Sequence, residues 1–306
     1  MRLRLIVHGK VAREQRVRDA VNAVRADGHA VSVRVTYESG DAGRMASEAV
    51  NEARSGQIDA IVAGGGDGTV NEVFAAVLAA EPPPSCSLGV LPLGTANDFA
   101  RSADLPASDA TAALRLVTTS PARPVDIGLV DGRPFINLLT GGFGSRVTVE
   151  TDPELKRNLG GLAYVLTGVS RFRELAANAG RITGADFEWE GSFLALAIGN
   201  GRQAGGGIML CPDALLDDGS LDLMILLDVP QEKRLEAAAQ ILMQGAAALP
   251  GLLLRARSPW FEFHSDQDLS VNLDGEPIKS KRFRVVCRPG ALKVHLGPGA
   301  ALAPHV

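Results

Sequence analysis

Several things are missing from this sequence, and each absence excludes a class of protein. Among its 306 residues there are only three cysteines, Cys86, Cys211 and Cys287, far apart and odd in number. They make neither a disulfide framework nor a zinc-finger spacing, which points to a reducing compartment. No run of about 18 apolar residues is present, so no spanning helix is expected. The nearest approach, residues 235–254, is broken by Gln240, Gln244, Gly245 and Pro250 and reads as a core helix followed by a turn, with a surface that touches lipid as the alternative. A basic excess is also lacking: the net charge is −4 and the pI about 5.8, which argues against a nucleic-acid partner. No lysine occurs between Lys10 and Lys156. That gap excludes a Walker A loop, which needs a lysine after its last glycine, and leaves no place for a protein-kinase strand lysine. There is no internal repeat or low-complexity tract, and the opening "MRLRLIVHGK" reads as a first strand rather than a signal peptide.

What is present is an ordinary globular composition, 46% apolar and 22% charged, in a chain long enough for two domains. The first third alternates apolar strands with amphipathic helices. Strands are expected at 3–8, 30–37, 58–63 and 88–93, and helices at 12–25, 42–54, 70–80 and 109–117, with Gly28 and Gly56 as helix stops. Continuous apolar strands between helices predict a doubly wound parallel sheet covered on both faces. From about residue 123 the texture changes to short strands, expected at 125–130, 135–139, 187–189, 193–198, 221–227, 260–264, 269–273, 283–287 and 292–296, with Asp-Gly turn pairs at 131–132, 218–219 and 274–275. Two helical stretches, 153–178 and 230–244, interrupt them. We therefore expect an N-terminal α/β nucleotide-binding domain over 1–123 and a mostly antiparallel β-sandwich domain over 124–306.

The most informative stretch is "AGGGDGTVNEV", residues 63–73. It stands at a strand end in a parallel sheet, where ligands collect. Glycines let backbone N–H groups approach an anion, and the following helix N-terminus adds partial positive charge. On this reading a branched side chain at Gly65 blocks a phosphate and leaves the fold intact. Thr69 and Glu72 also match the T-x-x-E capping box. Asp67 needs a task beside a phosphate, either organising a metal or moving a proton. A second strand-to-helix loop, "PLGTANDFAR" at 92–101, offers Gly94, Thr95, Asn97 and Asp98. Two such adjacent ends suit one polyphosphate. The G-x-G-x-x-A match at 199–204 is followed by three more glycines rather than a helix, so it is not a dinucleotide fingerprint. Read alone, Asp217-Asp218-Gly219 is a turn and Glu276 an exposed glutamate. The five histidines are scattered, and none is assigned to catalysis.

Together, "GGGDGTVNEV" and "PLGTANDFAR" resemble the diacylglycerol-kinase and sphingosine-kinase superfamily. The likeness continues through "NLLTGGFGSR" (137–146), "IGNGRQAGGG" (198–207), "LCPDALLDDGSLDL" (210–223) and "NLDGEP" (272–277), and so covers nearly the whole chain. The resemblance implies an ATP-dependent lipid kinase that uses Mg²⁺ and transfers the γ-phosphate to a hydroxyl of a diacylglycerol- or phosphatidylglycerol-like lipid. It implies nucleotide contacts at Thr36, at Gly65, Gly66, Asp67, Gly68, Thr69, Val70, Asn71 and Glu72, and at Thr95. A magnesium is implied at Asp218 with the backbone carbonyls of Leu215 and Ser220; at Leu215 only a carbonyl oxygen is on offer. Glu276 is implied as proton acceptor, with Asp67 organising metal and phosphate. The implied enzyme is cytoplasmic and meets the inner membrane face peripherally. Two alternatives remain at this point: a kinase of a soluble alcohol, and a nucleotide- or lipid-binding sensor without turnover.

Overall fold

A computed structural model describes residues 1–142, 177–228 and 251–304, with positions 230, 232, 233 and 236. It divides into two compact units, Met1–Ile127 with Pro289–Val306, and Gly128–Arg288.

In the first unit four strands pair in parallel: β1 (Arg2–Val7), β2 (Ala30–Val35), β3 (Ala60–Gly65) and β4 (Ser87–Pro92), in the order β2-β1-β3-β4. Five helices accompany them: α1 (Gln15–Ala26), α2 (Asp41–Arg54), α3 (Asp67–Ala79), α4 (Asp98–Ser102) and α5 (Ala110–Thr119). β3 and β4 are buried at every residue, because helices cover both faces and leave no polar side. Leu3, Leu5, Val7, Ala60 and Val62 pack with α1 and α5 in one core. α2 and α3 lie against each other. Helix ends follow sequence chemistry: Gly28 and Gly56 sit at φ +89° and +66° just beyond α1 and α2, and Asp109 caps α5 by accepting from Ala112 N at 2.9 Å.

The second unit is antiparallel. Its long strands are β9 (Glu188–Gly199), β14 (Trp260–Leu273) and β15 (Glu276–His295), with β5 (Ala122–Val130), β6 (Arg133–Phe135), β7 (Leu138–Gly142), β8 (Asn178–Gly184), β12 (Leu221–Leu227) and β13 (Leu253–Ser258) beside them. The short β10 (Gln203–Ala204) and β11 (Ile208–Met209) pair separately. Each long strand serves two sets of partners. β9 pairs β8 over its first half and β7 over its second, and β14 does the same across an irregularity between His264 and Leu269. Expected pairs of strands at 187–189/193–198, 260–264/269–273 and 283–287/292–296 are therefore single strands. Conversely, the one expected at 135–139 is divided between β6 and β7. Phe135, Phe193, Phe261, Phe263 and Phe283 fill the core, with Phe263 stacked on Phe283 at 4.9 Å. The Asp131-Gly132 and Asp274-Gly275 pairs have the positive φ values of a type I′ hairpin turn. Asp218-Gly219 joins no hairpin; it follows a loop and precedes β12. The helical expectations at 153–178 and 230–244 fall almost wholly outside the described residues. At 235–254 the described end already belongs to β13.

One domain boundary, between 123 and 124, was expected; the units meet at 127/128 and again at 288/289. The reason lies in β15, which runs 20 residues, with Val294 pairing in parallel with Leu88 of β4. His295 secures that return. Its Nδ1 lies 2.7 Å from the Ser120 carbonyl and its Nε2 2.9 Å from the Ser87 hydroxyl, with the residue 4% exposed. A donor toward the carbonyl and an acceptor toward the hydroxyl describe neutral imidazole. Burial pushes its pKa below the ordinary 6.5, while the Ser120 carbonyl opposes the shift.

That depressed value sets a pH dependence. Below pH 6.5 the unfolded imidazole takes up a proton that the buried one resists, so stability present above 6.5 is lost as pH falls. Urea midpoints measured from about pH 7.5 down to about 5.5 should decline in the native chain. His295→Gln should be less stable at the upper end and lack this component of the decline; an equal decline in both assigns the pH response to other groups.

Candidate functional site

Four strand ends of the first unit converge. After β1, His8 N donates to Gly64 O at 2.8 Å; after β2, Thr36 N donates to Val7 O at 3.0 Å; after β4, Leu93 N donates to Gly65 O at 2.8 Å. The carboxyl ends of β1, β2, β3 and β4 thus share one rim, where open parallel sheets bind ligands.

The glycine run is not a loop. Gly64 and Gly65 belong to β3, Gly66 alone is the extended N-cap, and α3 begins at Asp67. The chain's own packing accounts for three of the four glycines. A Cβ on Gly64 would press on Leu5 and Val7 at 3.2 Å, and one on Gly65 would lie 2.5 Å from the Thr69 hydroxyl. A Cβ on Gly66 would approach Gly94 Cα at 3.2 Å, and one on Gly94 would lie 2.4 Å from Gly66 Cα. Gly68 differs: it is exposed, and nothing lies within 4 Å of its would-be Cβ. Glycine inside a helix costs about 0.5–1 kcal/mol relative to alanine, and no neighbour requires it here. The N–H groups of Asp67 and Gly68 have no acceptor among the described residues, whereas those of Thr69 and Val70 reach Gly66 O at 3.0 and 3.1 Å. Two free donors at a helix N-terminus, beside a position kept bare, form a place for an anion.

Several expected roles change in this geometry. The capping box is not formed: Thr69 lies in the first turn of α3 and Gly66 is the N-cap, with no side-chain cap. The helix starts earlier because the Gly66 carbonyl accepts the first bonds. Glu72 instead accepts from Gly43 N at 3.0 Å, tying α3 to α2. Val70 is 3% exposed and faces the core, so only its backbone can serve a ligand. Asn71 keeps a buried amide oxygen without a partner. Asp67 has a task not foreseen: its Oδ1 accepts from Phe99 N at 3.0 Å, at the start of α4. The Phe99 ring meets Phe74 of α3 edge-on at 5.4 Å, reinforcing the same junction. Asn97, at φ 51°, closes the second loop by bonding both N and O of Gly94 at 2.9 Å. Thr95 at the tip is exposed.

Thr36 is 7% exposed and accepts from Gly9 N at 3.2 Å. Gly9 is a residue that sequence reasoning missed: a Cβ there would lie 2.3 Å from Thr36 O. A glycine directly after a buried strand was the available signal. The turn after Thr36 is held by Asp41, whose carboxylate accepts from Tyr37 N at 2.8 Å, Arg44 at 2.7 Å and Glu38 N at 3.2 Å. Those bonds, the Tyr37 backbone first, hold its pKa at about 2.

In the second unit Glu276 is exposed at the corner of the β14–β15 hairpin, paired across it with Leu273. Beneath it, Asp274 binds the backbone of the segment 136–138. Asn200 holds the same segment through Ile136 O at 3.1 Å.

Comparison with known proteins is decisive at this point. Residues 2–130 match the diacylglycerol kinase catalytic domain, and residues 138–296 match the YegS C-terminal NAD kinase beta sandwich-like domain. A protein of Pseudomonas aeruginosa described as "Probable lipid kinase YegS-like" is 49% identical over 97% of this chain and 95% of its own length. One of Pseudomonas syringae pv. tomato with the same description is 50% identical over 96% and 93%. The chain belongs to the YegS-like kinase family. It is a phosphotransferase. In fold it also resembles a diacylglycerol kinase structure from Bacillus anthracis, with a TM-score of 0.75 at 19% identity over 98% of both chains. A second chain of that organism reaches 0.81 at 23% identity over 98% of this chain and 96% of its own.

The magnesium position expected in the YegS-type domain fits less well. Its donors are all oxygen, as a hard cation requires. However, Asp218 Oδ1 accepts from Ser220 N at 3.0 Å, and its Oδ2 lies 3.5 Å from Arg257. Arg257 also makes bonds of 3.2 and 3.1 Å to Asp222 and one of 2.6 Å to the Asp213 carbonyl, while Arg202 takes the Ala214 carbonyl at 2.9 Å. Guanidinium groups thus do the neutralising here. Among the described residues no three acidic, histidine or cysteine side chains converge on a metal position. As the residues stand, a divalent ion would have to compete with Arg257. Magnesium titration of the nucleotide-free protein should give the same weak binding for the native chain and Asp218→Ala; tighter binding by the native chain alone would restore the expected site.

The glycine geometry generates a paired test. Gly65→Val, once expected to spare the fold, should destabilise the protein by about 1–3 kcal/mol through overpacking against Thr69. Gly68→Ala should leave thermal stability unchanged or slightly higher, and should weaken binding of an ATP analogue at least about tenfold, the worth of one lost anion contact. Full affinity in Gly68→Ala would show that the bare position is not a phosphate contact.

Proposed function

We propose that this chain is an ATP-dependent lipid kinase that transfers the γ-phosphate to a hydroxyl of a diacylglycerol- or phosphatidylglycerol-like lipid. The observation that carries the nucleotide part is Gly68: a bare position with two free N–H groups at the N-terminus of α3, beside the Gly94–Asn97 loop. Phosphoryl transfer needs mainly positioning and charge neutralisation. The α3 N-terminus and the loop ending at Thr95 would hold the phosphates, and Thr36 would border the nucleotide through its backbone. Magnesium would enter with ATP and offset phosphate charge. The lipid hydroxyl oxygen forms a bond to the γ-phosphorus as the bond to the bridging oxygen of ADP breaks. The hydroxyl proton passes to Glu276, whose carboxylate is exposed and has no hydrogen bond or ion pair among the described residues. Asp67, holding α4 through Phe99, would keep the two phosphate-binding ends in register. The lipid part rests on the family and on its relatives' descriptions. The lipid would be met peripherally, at the cytoplasmic face; among the described residues no helix is long and apolar enough to cross a membrane.

Transfer of labelled γ-phosphate to a panel of diacylglycerol, phosphatidylglycerol, ceramide-like and soluble alcohols tests the acceptor. Phosphorylation of a soluble alcohol alone would overturn the lipid reading. Glu276→Gln should lower kcat by roughly 10²–10⁴-fold with ATP affinity little changed. Asp67→Asn retains an acceptor for Phe99 N and should alter magnesium dependence as well as rate. Near-normal turnover in Glu276→Gln would transfer the role of base to Asp67.

A further inference from the structure

The Glu276 side chain makes no hydrogen bond or ion pair with any described residue, so its position is set by its backbone, which pairs with Leu273 across the hairpin. That backbone follows a two-residue turn, Asp274-Gly275, with φ values of 46° and 109°. Asparagine or glycine would satisfy such a turn equally well. The chain uses an aspartate, and its carboxylate is fully employed. Oδ2 accepts from Ile136 N at 2.6 Å; Oδ1 accepts from Asn137 N at 3.1 Å and from Leu138 N at 3.0 Å. Asp274 N returns a bond to Leu138 O at 3.2 Å, and Asn272 Oδ1 accepts from Gly275 N at 2.7 Å. The segment 136–138 is anchored in turn, because Asn200 N and Gly201 N both donate to Asn137 O, at 2.9 and 2.8 Å. The other type I′ turn offers a contrast: Asp131 reaches one backbone N–H, that of Arg284, at 3.1 Å.

We infer that Asp274 is a positioning residue for phosphoryl transfer, fixing the height and direction of the Glu276 carboxylate by clamping the hairpin to the segment 136–138. The inference rests on the reading of Glu276 as base. Three N–H groups converging on one carboxylate are charge-assisted bonds, stronger than neutral ones. A hairpin corner without them keeps its turn and gains freedom, and a displacement of about 1 Å at a reacting group can cost about a hundredfold in rate.

A double-mutant cycle separates this role from general stability. Asp274→Asn keeps the turn and one acceptor; Asp274→Gly keeps the turn and removes the clamp. Each should lower kcat, the glycine variant by about a hundredfold, with KM for ATP unchanged and the protein folded by circular dichroism. In the Glu276→Gln background the same substitutions should change the residual rate less than about twofold, because a residue that acts through another has nothing left to lose. Additive losses in that background overturn the inference. A Glu276→Gln enzyme of native rate overturns the reading of the base instead, and the two failures are told apart by the single variants. Amide hydrogen exchange over 272–278 gives a readout that needs no substrate: it should quicken in both Asp274 variants, and unchanged exchange there also overturns the inference.

Discussion

The candidate site depends on one close approach, between the backbones at Gly66 and Gly94. No Cβ fits on Gly94, where it would lie 2.4 Å from Gly66 Cα, and one on Gly66 would press on Gly94 Cα at 3.2 Å. The contact brings the ends of β3 and β4 together, and the rest follows from it. Leu93 can donate to Gly65, Asp67 can reach Phe99 N, and α3 and α4 start beside each other with their N-termini at one rim. The two glycines set the spacing of these strand ends, and the Asp67 carboxylate locks it.

The same economy explains why the glycine-rich signature is longer than the anion site itself. Gly64 accommodates Leu5 and Val7, Gly65 accommodates Thr69, Gly66 accommodates Gly94, and of these four glycines only Gly68 has nothing within 4 Å of its would-be Cβ. Most of the motif is packing within the chain. Thr69 and Glu72 follow this division: they pack under β3 and against α2, and the first turn of the helix is left with free donors.

In the second unit charge is managed by pairing rather than by openness. Arg257 and Arg202 gather the carboxylates and carbonyls of the segment 213–222, and Asp274 gathers three backbone donors beneath the hairpin. Each arrangement satisfies buried or half-buried polar groups within the chain, as interiors of low dielectric demand. Glu276 stands apart from this pattern, an exposed carboxylate with no hydrogen bond or ion pair among the described residues.

Apolar periodicity and turn residues determined the first unit almost completely. Eight expected strands and helices at 3–117 all appear, with ends displaced by a few residues, because strands buried on both faces and amphipathic helices write their pattern locally. The short helix α4 was foreseen as the helix that the "GTANDFAR" loop opens, without its bounds. The Asp-Gly hairpins at 131–132 and 274–275 were equally legible, since few residues tolerate positive φ. The motif residues were visible too, and so was the family. What each residue does was not. That Gly65 shelters Thr69, that Asp67 caps α4, that Gly9 lies against Thr36 and that Asp274 clamps the segment 136–138 depend on contacts between segments up to 138 residues apart. Nor could sequence join the short apolar runs into the long strands β9, β14 and β15, or return β15 to the first unit. Local pattern encodes which face of a segment is buried; which partner it is buried against is decided only when the chain closes on itself.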